Sequence, residues 1–144
     1  MRDGLRFHDG SPVRAADVVA SLKRWAKRDL MGRSLMQSTK ALSALDEKTI
    51  QFELSKPFPL ILNALGRQSG MMAVIMPERL ASLPETAGVQ EMVGSGPFRF
   101  MADKWVSGSR VVYEKFADYA PRKDGMAPDF SAGPKVAHVD GVVW

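Results

Sequence analysis

Few residues in this 144-residue chain have the type and spacing that carry chemistry, and most of those argue against catalysis. His8 and His138 are its two histidines, and they form neither an HExxH nor a His-x-His spacing. His8 lies in the turn His8-Asp9-Gly10-Ser11-Pro12, where an imidazole is expected to hydrogen-bond its neighbours. The serines include no Gly-x-Ser-x-Gly elbow with a base and an acid in attendance. Asp46-Glu47 reads as turn solvation. Gly94-Ser95-Gly96 has the glycines of a phosphate cradle, yet no helix opening on Lys-Ser/Thr follows it. The absence of cysteine removes thiolate nucleophiles, disulfides and Cys-ligated zinc. No catalytic residue, metal site or cofactor is therefore expected, and the chain is not read as an enzyme.

The elements around those residues are legible from periodicity. Ala15, Val18, Val19, Leu22, Trp25 and Ala26 recur on one helical face. Arg14, Asp17, Ser21, Lys23, Arg24, Lys27 and Arg28 fill the other, so the helix is expected to lie on a core with its charges in solvent. Ser11, with Pro12 at the first helical position, is the expected cap; otherwise Asp17 alone interacts with the helix N-terminus. A break is expected near Gly32, then a short apolar pattern through Leu30, Leu35 and Met36. Ala41–Leu45 and Thr49–Leu54 flank Asp46-Glu47-Lys48 as a hairpin, with Ile50, Phe52 and Leu54 alternating against Gln51 and Glu53. Pro57 and Pro59 lead into a helix over Leu60–Leu65, and Arg67–Met72 reads as a loop. Ala73–Met76 is expected to form a short strand, and Pro77 to open a brief helix.

Asp9, Gly10, Gly94, Gly96 and Pro97 mark structural turns. At least one of Gly94 and Gly96 is expected at φ > 0. After Pro97, a strand is predicted with Phe98, Phe100 and Ala102 facing inward. The chain turns at Trp105–Ser109, and Arg110–Phe116 pairs back. Asp118–Val136 is a long Pro- and Gly-bearing loop, and His138–Trp144 starts a last strand. The fold class is thus α+β, or mixed α/β: a small, largely antiparallel sheet with hairpins and packed helices.

Composition bounds the rest. Hydrophobic content of 45% and charged content of 25% are ordinary for a globular domain, and the length suits one. The longest apolar stretch, Met71–Met76, is too short to span a bilayer, and the opening residues MRDGLRFHDG hold no apolar signal-peptide core. The net charge of +4 is concentrated on Lys23, Arg24, Lys27, Arg28 and Arg33. A solvated helix face is the bland explanation. A small basic nucleic-acid-binding or interaction module without a ligand of its own is the alternative, although no aromatic-basic stacking strand accompanies the charge.

Three stretches resemble the family 5 extracellular solute-binding proteins, the peptide- and nickel-type receptors of bacterial ABC importers. They are RDGLRFHDGSPVRAADVVASLKR (residues 2–24), ALDEKTIQFELSKPFPL (44–60) and GSGPFRF (94–100). Arg14 departs from the pattern, which commonly carries Thr or Ser there. The resemblance implies a single piece, residues 1–144, of the first lobe of a two-lobed periplasmic-binding-protein fold, with the second lobe and hinge outside it. It implies capture of a small solute, with a peptide favoured, outside the cytoplasmic membrane, in the periplasm or on an extracellular lipid anchor. Delivery is then to an ABC permease, with no nucleic acid involved. By the same resemblance the loops nearest the cleft are Arg33–Met36 and Arg67–Met72. Arg33 or Arg67 would hold a ligand carboxylate, Met36, Met71 and Met72 would form an adaptable apolar wall, and Gln68 and Ser69 complete the set. A lobe face left open in such a piece would favour self-association.

Overall fold

A computed structural model describes residues 1–67, 69–84, 86–125, 127 and 133–144. The chain forms two compact units, the first from Met1–Arg2 and Val13–Glu91, the second from Asp3–Pro12 and Met92–Trp144. The mixed α/β reading holds: among the described residues, four α-helices and two small antiparallel sheets make up the architecture.

In the first unit the predicted helix is α1 (Ala15–Ala26), followed by α2 (Leu30–Gln37), the hairpin β1 (Thr39–Ala44) and β2 (Ile50–Leu54), α3 (Ile61–Gly66) and α4 (Glu78–Ala81). Leu22, Trp25 and Ala26 of α1 meet Leu35 of α2, Leu42 of β1 and Ala64 of α3 in one buried cluster. Val18, Val19, Met36, Ile50 and Phe52 pack around it half-buried, as the apolar periodicities require. Leu54 is exposed instead; it pairs with Thr39, beyond a register slip between Thr39 and Ala41 that ends the regular alternation.

Two polar residues predicted to face solvent are buried. Asp17 is 8% exposed and Ser21 2%. Each is on the helix flank that meets the chain arriving at α4. One Asp17 carboxylate oxygen accepts the Arg14 backbone N–H at 2.7 Å, and the other accepts the Glu78 N–H at 2.7 Å. Asp17 thus satisfies orphan donors in the first turns of two helices. Ser21 Oγ accepts from Met76 N–H at 3.0 Å and donates to Met76 C=O at 3.1 Å. Ala73–Met76 is not the expected strand: the Met76 N–H and C=O are taken by Ser21, Val74 N–H bonds Met72 C=O at 2.9 Å, and Ala73 and Ile75 pack on the core. The cap expectation is corrected as well. The helix begins three residues beyond Pro12, with Arg14 at the N-cap, and Ser11 spends its N–H and hydroxyl on Asp9 Oδ1.

The first helix ends at Ala26, earlier than expected, and Gly32 lies inside the first turn of α2. A Cβ on Gly32 would come within 2.7 Å of the Ala26 Cα and 3.1 Å of the Trp25 ring, so glycine allows the two helices to touch. Leu30, which the apolar pattern included, is 78% exposed because it sits at the first position of α2, away from the Leu35 face.

The second unit is a three-stranded antiparallel sheet, β3 (Phe98–Phe100), β4 (Val112–Lys115) and β5 (Gly141–Val143), with β4 central. Phe100 faces Tyr113 across the β3–β4 pair, and Trp105 approaches Phe100 edge-on at 6.1 Å. Ala102, predicted to continue β3 inward, is exposed in a 3₁₀ turn over Ala102–Lys104. The unit also contains the 3–12 turn, closed by Phe7 N–H to Ser11 C=O at 2.8 Å, with Gly10 at φ 85° and the Phe7 side chain fully buried. Residues 126 and 128–132 of the long predicted loop lie outside the described residues.

Neither Gly94 nor Gly96 has a positive φ, contrary to expectation. The turn is shaped by His8. Gly94 C=O accepts the His8 backbone N–H at 2.8 Å, Gly94 N–H reaches Nδ1 at 3.3 Å, and Nε2 lies 3.1 Å from Gly96 C=O. A carbonyl only accepts, so Nε2 carries the proton and Nδ1 is the acceptor. The ring meets Phe116 edge-on at 5.1 Å. His8 is therefore a clamp, but its ring bonds the Gly94–Gly96 stretch, more than eighty residues away, rather than the expected neighbours in its own turn.

Two outcomes follow for packing. Gly32→Ala should lower stability by roughly 1–3 kcal/mol through overpacking against Ala26, and Trp25→Ala should cost roughly 3–5 kcal/mol, both read by urea unfolding. Unchanged midpoints would contradict the α1–α2 contact.

A third concerns pH. The Lys48 backbone N–H, foremost among several donors, lowers the Asp46 pKa below 3.8. A hydrogen bond from Lys104 lowers that of Glu114 below 4.5, and the same bond raises Lys104 above 10.5. Depressed carboxylates contribute stability above their unfolded values, and that contribution disappears as pH falls through the folded ones. The raised Lys104 contributes below its unfolded value and stops contributing as pH rises through its folded one. Thermal unfolding against pH should show both limbs, and Glu114→Gln should weaken the alkaline limb and the Glu114 share of the acid limb. A profile unchanged by that substitution would contradict the pairing.

Candidate functional site

The residues singled out as cleft contacts fall into two groups in the first unit. Arg33 and Met36 lie on α2. Met36 is half-buried against the core, and Arg33 is exposed, its Nε 3.2 Å from Lys27 C=O and one terminal nitrogen 3.4 Å from Arg28 C=O. The guanidinium thus covers carbonyls released where α1 ends. Lys23, Ala26, Lys27, Arg33, Met36 and Gln37 line an open depression of about 510 Å³, with three cationic side chains around an apolar floor.

The second group is the segment after α3. Arg67 Nη1 pairs with Asp29 Oδ2 at 2.9 Å, and Arg67 Nε donates to Ser69 C=O at 2.9 Å. Gly70 follows at φ 76°, a conformation that favours glycine, and the Trp25 indole N–H donates to Met71 C=O at 2.7 Å. Met71 and Met72 are 48% and 49% exposed, large apolar side chains held in solvent by a backbone tied down on both sides. Gln68 lies outside the described residues. Among the described residues, none of Arg67, Ser69, Gly70, Met71 and Met72 lines the Arg33–Met36 depression.

Sequence reasoning missed two participants. Asp29 is 6% exposed; its Oδ1 caps α2 by accepting Gly32 N–H at 2.9 Å, while Oδ2 holds Arg67. An Asp before an eight-residue apolar-periodic stretch is an N-cap signal, and it was legible. The indole hydrogen bond of Trp25 has no sequence signature. Among the described residues, no group of three or more His, Cys, Asp or Glu could hold a metal, and no helix is long and apolar enough to cross a membrane. His138 is exposed and His8 is committed to the Gly94–Gly96 turn.

The family model "Bacterial extracellular solute-binding proteins, family 5 Middle" matches residues 1–144. A probable peptide ABC transporter periplasmic-binding protein, y4tO, from Sinorhizobium fredii is 40% identical over the whole chain, which covers 26% of that protein. The glutathione-binding protein GsiB of Pectobacterium atrosepticum is 33% identical over 83% of the chain and 23% of its own length. Among solved structures, the oligopeptide-binding protein AppA of Bacillus subtilis, in complex with a nonapeptide, aligns with a TM-score of 0.64. It shares 24% identity, over 83% of this chain and 24% of that one, and supports the fold alone. The chain spans about a quarter of the length of the curated relatives it matches. It belongs to the family 5 bacterial extracellular solute-binding proteins.

Proposed function

We propose that the chain is part of the substrate-binding component of a bacterial ABC importer that captures a peptide outside the cytoplasmic membrane and delivers it to the permease. The observation that carries this reading is the family match along all 144 residues, together with 40% identity to a probable peptide-binding receptor. A second relative is named for glutathione, itself a tripeptide. The place of action is the periplasm, or the outer face of the membrane on a lipid anchor. The work is binding: lobes close about a hinge and no covalent bond changes.

The solute contacts are placed on Arg33, Met36 and the Arg67–Met72 segment, Gln68 and Ser69 included. Exposed thioethers suit a site that accepts varied side chains, since unbranched Met repacks at little cost. A cleft of this kind buries most of a ligand between two walls, and this chain supplies one. Losing half of a micromolar ligand's roughly 8 kcal/mol leaves millimolar binding. The basic face of α1 is then a solvated surface, and the family favours a solute over a nucleic acid.

The test is an NMR-monitored titration of the 144-residue chain with di- to hexapeptides. Millimolar binding, with shifts at Met36 and from Ser69 to Met72, is expected. No response to any peptide, alongside salt-sensitive binding of short DNA or RNA, would overturn the reading. Micromolar binding by the chain alone would contradict the two-walled division of contacts.

A further inference from the structure

We infer that Arg67 is a positioning residue rather than a solute anchor, and that buried Asp29 fixes through it where the Met71–Met72 pair stands. The inference rests on the reading of Arg67–Met72 as a solute-contact segment and changes the role of its one charged side chain.

Two of the three nitrogens of the Arg67 guanidinium are already engaged, and the side chain is 29% exposed. Nη1 faces Asp29 Oδ2 at 2.9 Å, and Nε donates to Ser69 C=O, closing the segment on its own side chain. Nη2 lies where a Cβ on Gly70 would collide with it, so glycine at φ 76° wraps closely about the guanidinium. A solute carboxylate seeking a two-pronged grip on Nη1 and Nη2 would set its charge against that of Asp29, which is 6% exposed and cannot turn out to water. Removing Arg67 would leave Asp29 a poorly compensated buried charge, which is why the pair resists opening.

The arrangement runs in series. Asp29 caps α2 with Oδ1 and holds Arg67 with Oδ2, Arg67 holds Ser69, and two residues later the Trp25 indole holds Met71 C=O. Between those two ties stands Gly70, and immediately beyond the second the thioethers of Met71 and Met72 are half in solvent. The charge is thus spent inside the protein, and what faces a solute from this segment is apolar and polarizable. The specificity it confers is for the solute's side chains, while recognition of a free carboxylate must come from elsewhere.

The indole proton of Trp25 reports on the segment without any solute. Asp29→Asn keeps an N-cap acceptor but removes the charge, and Arg67→Met removes the guanidinium while conserving a long apolar stem. With Trp105→Phe and Trp144→Phe used for assignment, each variant is expected to shift the Trp25 indole N–H resonance. Solvent exchange of that proton should rise on the order of tenfold, the factor for about 1.4 kcal/mol. The double variant should show no further change, because both act through one link. Helix content by circular dichroism checks that Asp29→Asn retains α2. An indole resonance unmoved by Arg67→Met would overturn the inference. So would affinity lost for peptides with a free carboxylate but kept for their C-terminal amides in that variant. If no peptide binds at all, the solute reading fails while the indole measurement still decides the role of Arg67.

Discussion

Three side chains on one flank of α1 hold an irregular stretch of chain that no sheet supports. Trp25, Ser21 and Asp17 are spaced at intervals of four residues, which stacks them in a row along the helix. They bond in turn to Met71, Met76 and Glu78, so the chain from Met71 to Glu78 runs antiparallel to the helix. Each side of this arrangement needs the other. A buried carboxylate and hydroxyl must find partners, and a backbone lying on a core outside any sheet has N–H and C=O groups to satisfy. Leaving one such group unmade costs about 1–3 kcal/mol, comparable to a large share of a small domain's stability.

Much of the first unit follows. Asp17 receives the first N–H of α4 as well as that of Arg14, so one carboxylate sets where two helices begin. The row also carries Ala73 and Ile75 onto the cluster around Leu22, Trp25 and Leu35, joining apolar packing to polar fastening on one helix. At its far end the Trp25 indole holds Met71, and there the row meets the second fastening, Asp29 with Arg67. The same indole packs beside Gly32, whose lack of a side chain brings α2 close enough for its N-cap to reach Arg67. The segment proposed to contact solute is thereby held by a helix flank and a helix cap.

The sequence showed what periodicity can show. The apolar stripe of α1, the β1–β2 hairpin around Asp46, the α3 helix after Pro59 and the β3–β4 pair all stand near their expected places. What it hid are residues whose environment reverses their usual side. Asp17 and Ser21 read as solvent-facing because polarity normally means exposure; only the arrival of residues 76–78, more than fifty positions later, makes burial favourable. Gly32 read as a helix breaker because propensity is local, whereas its role is a contact between helices. Gly94 and Gly96 suggested positive φ, but the imidazole of His8 supplies a different constraint from the other end of the chain. The motif resemblance proposed the contact segments, and it could not show that Arg67 is paired internally.

The most direct measurement is amide hydrogen exchange at Met76 and Glu78. Neither lies in a sheet, and the Glu78 N–H, at the first position of α4, has no partner within its helix. If the α1 flank fastens this stretch, both amides exchange as slowly as those in the middle of α1, because each can open only when side chains of that helix let go. Fast exchange at either amide, at the rate of an ordinary exposed loop, would contradict the fastening and with it the placement of the segment that begins at Met71.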